Sequence, residues 1–115
     1  MADCIFCKIA AGEIPAKEVK RSADAVAFRD TDPKAPTHVL VIPTRHVSAV
    51  RDAKGEAGER MLGRLLAFAA EAATELGLDG RGYRVVTNTG PDAGQSVDHL
   101  HLHLLGGRRM TWPPG

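Results

Sequence analysis

A chain of 115 residues has room for one domain (1–115) with a modest core, and not for two. Fifteen Lys/Arg against fourteen Asp/Glu leave a formal charge of +1 with neither sign in a block. That balance argues against a nucleic-acid binder and assigns any phosphate recognition to a local site rather than a broad field. The longest uncharged apolar stretch, Leu65 to Ala70, is far too short to span a bilayer.

The opening Met1-Ala2-Asp3-Cys4 lacks the basic region and apolar core of a secretory signal, so the expectation is a soluble cytoplasmic protein. Residues 4–11 place Ile5, Phe6 and Ile9 on one side and end at Gly12, which predicts a short helix. Glu18 to Arg21 and Ala25 to Arg29 read as strands around the turn-forming Ser22-Ala23-Asp24. Asp30 to Thr37, with Pro33 and Pro36, is a loop. His38 to Ile42 is almost continuously β-branched or apolar and stops at Pro43, as a buried strand does. Glu56 to Leu76 carries one apolar stripe (Met61, Leu65, Phe68, Ala72, Leu76) at helical spacing, with Gly77 placed for a left-handed cap and Leu78 as its companion. Tyr83 to Thr87 and Leu100 to Leu105 complete the strands. Neighbouring strands are mostly joined without crossover helices, so the fold class is α+β: an antiparallel sheet of about five strands, with one long helix on one face and a short N-terminal helix.

The segment His99-Leu100-His101-Leu102-His103-Leu104-Leu105 is the most informative in the chain. Side chains alternate along a strand, so three histidines share one face and three leucines the other. The leucine face suits the apolar stripe of the long helix, which leaves the histidines toward solvent or a cleft. Three readings compete. A merely polar strand face would be served equally by Thr, Lys or Glu. A catalytic zinc site meets a geometric obstacle, since the outer histidines lie about 13 Å apart at their Cα atoms and cannot both reach one ion at about 2.0 Å. Nucleophilic catalysis fits better: an imidazole with an ordinary pKa of ~6.5 keeps a free lone pair at pH 7, and flanking imidazoles can donate to phosphate oxygens.

His-apolar-His-apolar-His-apolar-apolar resembles the signature of the histidine-triad (HIT) proteins. The similarity runs along nearly the whole chain, through Ile5-Phe6-Cys7-Lys8-Ile9, Ile14-Pro15-Ala16, Phe28-Arg29-Asp30, Ala35-Pro36-Thr37-His38, Gly94-Gln95-Ser96-Val97 and Gly106-Gly107-Arg108. The closing Trp112-Pro113-Pro114-Gly115 is similar to the Hint branch, the purine nucleoside phosphoramidases, more than to the dinucleoside polyphosphate hydrolases. A HIT-like fold is thereby implied, with hydrolysis at the α-phosphate of a purine nucleotide derivative through a nucleotidyl-histidine intermediate. The alternatives are dinucleoside polyphosphate hydrolysis on the same triad, or nucleotide binding with little turnover.

The resemblance implies that His101 attacks phosphorus while His103 bonds a phosphate oxygen and His38 orients the triad. It implies Asn88, Gly94, Gln95, Ser96 and Val97 around the phosphate, with Ser96 near the leaving group. Asp30 would take the ribose hydroxyls, for which a carboxylate has lone pairs on both oxygens. Ile5, Phe6, Ile14 and Phe28 would enclose the base in an apolar slot, although ordinary core packing explains two phenylalanines as well. For Asp30 the plain reading is turn chemistry in Asp30-Thr31-Asp32-Pro33. Arg29 and Thr31 stand where relatives carry a histidine and an aliphatic residue.

Cys4-x-x-Cys7 is half of a four-ligand zinc site, and as the only cysteines they form a metal or redox candidate. The resemblance supplies His46 and His99 as the other ligands of a structural, non-catalytic Zn²⁺. Such a site would tie down an end that otherwise frays. In the Hint branch the C-terminal tail crosses to a partner subunit, which implies a homodimer with Trp112 at the neighbouring pocket.

Overall fold

The apolar periods read above become a twisted sheet with a helix on each face in the computed structural model, which describes residues 3–115. The elements are α1 (Ile5–Ala10), β1 (Glu18–Arg21), β2 (Ala25–Arg29), β3 (Thr37–Pro43), a 3-10 turn (Val50–Asp52), α2 (Gly55–Glu75), β4 (Tyr83–Val86) and β5 (Leu102–Gly106). The strands lie in the order β1-β2-β3-β5-β4, every pair antiparallel. This is the α+β arrangement expected. The last strand slips between β3 and β4, so the histidine-bearing segment leads into an interior strand of the sheet rather than an edge.

Alternation then sorts the side chains. Ala25, Ala27, Val39, Val41, Leu100, Leu102 and Leu104 face α2 and pack with Leu65, Phe68, Ala69, Ala72 and Ala73. Val26, Phe28, Leu40 and Ile42 face the other way and pack with Phe6, Ile9 and Ala10 of α1. The histidines share this second face. The leucine alternation expected from the sequence is therefore the seam between sheet and long helix, and Leu104 is wholly buried there.

Both helices end in the same way. Gly77 has φ +77°, its N–H donates to Thr74 O at 3.0 Å, and Leu78 N–H donates to Ala73 O at 2.9 Å. That double bond is a Schellman cap, closed by contact of the buried Leu78 with the same core. Gly12 and Glu13 repeat it behind α1, with N–H donation to Ile9 O and Lys8 O at 3.0 and 2.8 Å. At its start α1 is capped by Cys4, whose Sγ accepts the Cys7 N–H at 3.3 Å.

Element limits differ from expectation by one or two residues, most tellingly in β5. It was expected from Leu100 but begins at Leu102. Leu100 N–H leaves the sheet to donate to Val47 O at 2.6 Å, and β4 ends at Val86 opposite His103. His99 and His101 keep the alternation without a strand partner beside them. Among the described residues, no helix is long and apolar enough to cross a membrane.

Candidate active site

On the α1 face, three imidazoles gather at the middle of the sheet. His38 comes from β3, His103 from β5 two places further along the register, and His101 from the irregular lead-in to β5. Ring centroids lie 5.2 Å apart for His38 and His103, and 5.1 Å apart for His101 and His103. His38 and His101 are buried and His103 half-buried. No buried side-chain nitrogen or oxygen among the described residues lacks a partner.

The hydrogen bonds decide which nitrogen of each ring carries the proton. Lys34 N–H donates to His38 Nδ1 at 3.0 Å, so that nitrogen is bare and the proton sits on Nε2. His38 Nε2–H then donates to His103 Nδ1 at 2.9 Å, which leaves His103 with its proton on Nε2. On the other side, His101 Nδ1–H donates to the His99 carbonyl at 2.7 Å. A neutral His101 therefore carries its lone pair on Nε2. One ring presents a nucleophilic nitrogen and its neighbour a donor.

For His38 and His103 this assignment needs neutral rings, and burial favours them. Loss of hydration is the main cause that lowers the His38 pKa, opposed by the nearby Asp30 carboxylate. His103 is held down to about 4, first by burial and then by the adjoining His101 and His38 rings. Asp30 Oδ2 lies 3.4 Å from His38 Nε2, while Oδ1 accepts the Asp32 N–H at 2.8 Å. The carboxylate thus serves its own turn and faces the histidines together. Asp30, His38 and His103 bring ligand atoms within 4.8 Å of one another. The proton on His38 Nε2, imposed by Lys34, makes that group a hydrogen-bonded chain rather than a metal site.

Beside the triad opens a cleft of about 920 Å³. Ile5, Phe6, Ile14, Phe28 and Asp30 are among the residues that line it. Phe6 and Phe28 meet edge to face at 5.6 Å, and Phe6 also sets its ring 5.2 Å from His101. The apolar slot and His101 are therefore contiguous.

The loop after β4 is built differently from a simple row of phosphate ligands. Gln95 Nε2 donates to Ser48 O at 2.7 Å and Val97 O at 3.1 Å, while its Oε1 accepts the Gly90 N–H at 2.9 Å. Its carboxamide is consumed in bracing the loop, so the phosphate contact expected of Gln95 is not available to its side chain in this conformation. Gly94 turns the chain with φ +76°, Asn88 is half-buried and Ser96 is exposed. Val97 packs beneath them against the α1-side core. Trp112 is 82% exposed and lies outside the cleft of its own chain. Arg84 holds its neighbour, donating from Nη2 to Thr111 O at 2.9 Å.

The cysteines meet the expected histidines. Cys4 Sγ is 3.3 Å from His99 Nδ1, and Cys7 Sγ is 3.3 Å from His46 Nδ1 and 3.5 Å from His99 Nδ1. All four ligand atoms fall within 4.8 Å of one another. Zinc bonds of about 2.3 Å to sulfur and about 2.0 Å to nitrogen place neighbouring tetrahedral vertices roughly 3.4–3.8 Å apart, so the separations fit. His99 Nε2–H donates to Pro43 O at 3.0 Å, which turns the bare Nδ1 toward the sulfurs as an outer partner of a ligating histidine does. Burial, then the Cys4 sulfur, push the Cys7 thiol pKa up. A bound dication reverses that balance by stabilising thiolate.

Sequence reading missed the groups that set the tautomers. The Lys34 N–H and the Pro43 carbonyl belong to the backbone and carry no residue-type signal. Thr87, whose Oγ1 donates to His101 O at 2.9 Å, was read only as the end of a strand.

The comparisons agree with this geometry. The HIT domain family matches residues 11–110. An uncharacterized HIT-like protein of Synechococcus elongatus is 49% identical over 113 residues, 98% of this chain and 97% of that protein. The 14 kDa zinc-binding protein of Zea mays is 49% identical over 112 residues, covering 96% and 87%. Among solved structures, a HIT family hydrolase from Legionella pneumophila superposes with a TM-score of 0.94 at 49% identity, over 98% of this chain and 100% of that one. With its histidine triad, sheet order and cleft in place, the chain belongs to the HIT domain family.

Proposed function

We propose that the protein hydrolyses purine nucleoside phosphoramidates at the α-phosphorus through a nucleotidyl-His101 intermediate. The observation that carries this reading is the paired tautomers: a lone pair on His101 Nε2 beside a donor on His103 Nε2. His101 Nε2 attacks phosphorus and the P–N bond breaks. The amine leaves on the side of the exposed Ser96, taking up a proton from solvent. Water then attacks the phosphorus, cleaves the P–Nε2 bond and releases the nucleoside monophosphate. His103 Nε2–H stabilises the charge that develops on a phosphate oxygen, and His38 keeps His103 in the donating tautomer.

The purine lies between Ile5, Ile14 and the two phenylalanines, and the ribose hydroxyls meet the remaining lone pairs of Asp30. Glycine at position 94 lets the loop backbone approach the phosphate. A Zn²⁺ held by Cys4, Cys7, His46 and His99 anchors the segment that carries Ile5 and Phe6, and takes no part in bond breaking. The exposed Trp112 belongs to a homodimer in which the tail meets the partner's pocket and influences the leaving group.

The test is turnover of adenosine 5′-phosphoramidate by wild type and His101→Ala. Activity in the wild type, its loss in the variant, and acid-labile label retained on wild-type protein after a substrate pulse are expected. Turnover that survives in His101→Ala refutes the nucleophile.

A further inference from the structure

His99 belongs to two sites at once. Its ring is wholly buried, with Nδ1 against the sulfurs of Cys4 and Cys7 and Nε2–H on the Pro43 carbonyl. Its backbone carbonyl is the group that accepts the His101 Nδ1–H at 2.7 Å. The two sites are thus joined through a single residue, with no mobile side chain between them. Two further contacts tighten the joint. Val47, next to His46, accepts the Leu100 N–H at 2.6 Å, so the strip that supplies one cluster member also holds the peptide between His99 and His101. Phe6, between the two cysteines in α1, sets its ring edge-on to both imidazoles, at 5.9 Å from His99 and 5.2 Å from His101.

No sheet pairing supports this stretch, because β5 begins only at Leu102. Among the described residues, the carbonyl of His99 is oriented by the anchored ring and by the bond from Leu100. Without that anchor the His99 backbone is free to rotate about its ψ angle, the carbonyl swings away, and His101 loses the acceptor that keeps its proton on Nδ1.

We infer that His99 is a positioning residue for the nucleophile: by anchoring the His99 backbone through its ring, the Cys4–Cys7–His46–His99 cluster selects the His101 tautomer whose Nε2 carries the lone pair. The inference rests on the reading of His101 as nucleophile. It goes beyond a purely scaffolding cluster, because it couples occupancy of the cluster to the chemical step.

The experiment compares three samples labelled with ¹⁵N at histidine: zinc-loaded wild type, wild type stripped by a chelator, and His46→Ala. The variant removes one ligand and leaves His99 itself unsubstituted. The ring-nitrogen shifts of His101 report its tautomer without any turnover, and kcat and KM are measured in parallel. Zinc-loaded wild type is expected to hold His101 in the single Nδ1–H tautomer. The stripped protein and His46→Ala are expected to show a mixture, with kcat lower by about 10- to 100-fold and KM little changed, as for outer partners of a reactive group. A cluster that merely stabilises the fold would lower the melting temperature and leave the folded protein's kcat and tautomer alone.

One tautomer and an unchanged kcat in both depleted samples would overturn the inference, as would a wild type that takes up no zinc. Failure of the functional reading looks different. The zinc-loaded protein would then turn over no phosphoramidate, while the His101 shifts would still report on the coupling.

Discussion

The depressed pKa of His103 makes a stability prediction that can be worked through. In the folded protein the ring stays neutral down to about pH 4, whereas an unfolded histidine titrates near 6.5. Between those values the unfolded chain binds a proton that the folded chain refuses, so stability falls as pH falls. The contribution is fully present above pH 6.5 and is lost progressively toward pH 4. At about 1.4 kcal/mol per pH unit, this single group accounts for roughly 3 kcal/mol across the window. His38, shifted in the same direction by burial, steepens the loss further. The assay is urea denaturation at half-unit steps from pH 7.5 to 4, on wild type and His103→Gln. Glutamine keeps a side-chain oxygen to accept the His38 Nε2–H but removes the titration. The variant is expected to be less stable at pH 7, with a pH dependence shallower by about 1.4 kcal/mol per unit. Subtracting the curves cancels the acid sensitivity of the cysteine cluster and other carboxylates. Parallel curves would refute the reasoning, because His103 would then titrate alike in the folded and unfolded protein.

Gly63 within the long helix and Gly77 just beyond it make a paired prediction in which the same substitution acts with opposite sign. Gly63 is exposed inside α2 with open space around its missing side chain, so Gly63→Ala should stabilise by about 0.5–1 kcal/mol. Gly77 also has open space but holds φ +77°, so Gly77→Ala should destabilise by about 1 kcal/mol, and equal effects in denaturant titration would refute the cap. Asp30→Asn keeps the oxygen that accepts the Asp32 N–H while removing the charge that the proposed function assigns to the ribose hydroxyls. Its melting temperature should hold while KM for a purine substrate rises about ten- to a hundredfold, the equivalent of about 1.5–3 kcal/mol.

The sequence disclosed those parts of the molecule that depend on residue type at fixed spacing. The stripe from Met61 to Leu76 and the alternating leucines had to face each other, because each is apolar on one side only, and they do. The metal-type cluster was legible in part: Cys4-x-x-Cys7 announced itself, whereas His46 and His99 came only through family resemblance, since nothing local in either histidine points to sulfur. Phe6 and Phe28 were ambiguous for a physical reason. They are core and cleft wall together, in one cluster with the buried Ala10, Val26 and Ile42 and bordering open space on the cleft side.

What stayed hidden was carried by the backbone. Whether His101 presents a lone pair or a proton depends on a carbonyl, and whether His103 donates depends on the backbone N–H of Lys34, just outside the Ala35-Pro36-Thr37-His38 motif. Such groups are identical in every residue, so their arrangement is a property of the path of the chain. The turn at Pro33-Lys34-Ala35-Pro36 aims the Lys34 N–H at His38, and a proline on either side limits how that loop can swing. Gln95 illustrates the converse. Its motif position suggested contact with phosphate, but three internal bonds claim its amide, and the loop's shape depends on that claim. A residue can therefore belong to the site by building the ring of backbone around a ligand, with its own side chain turned inward.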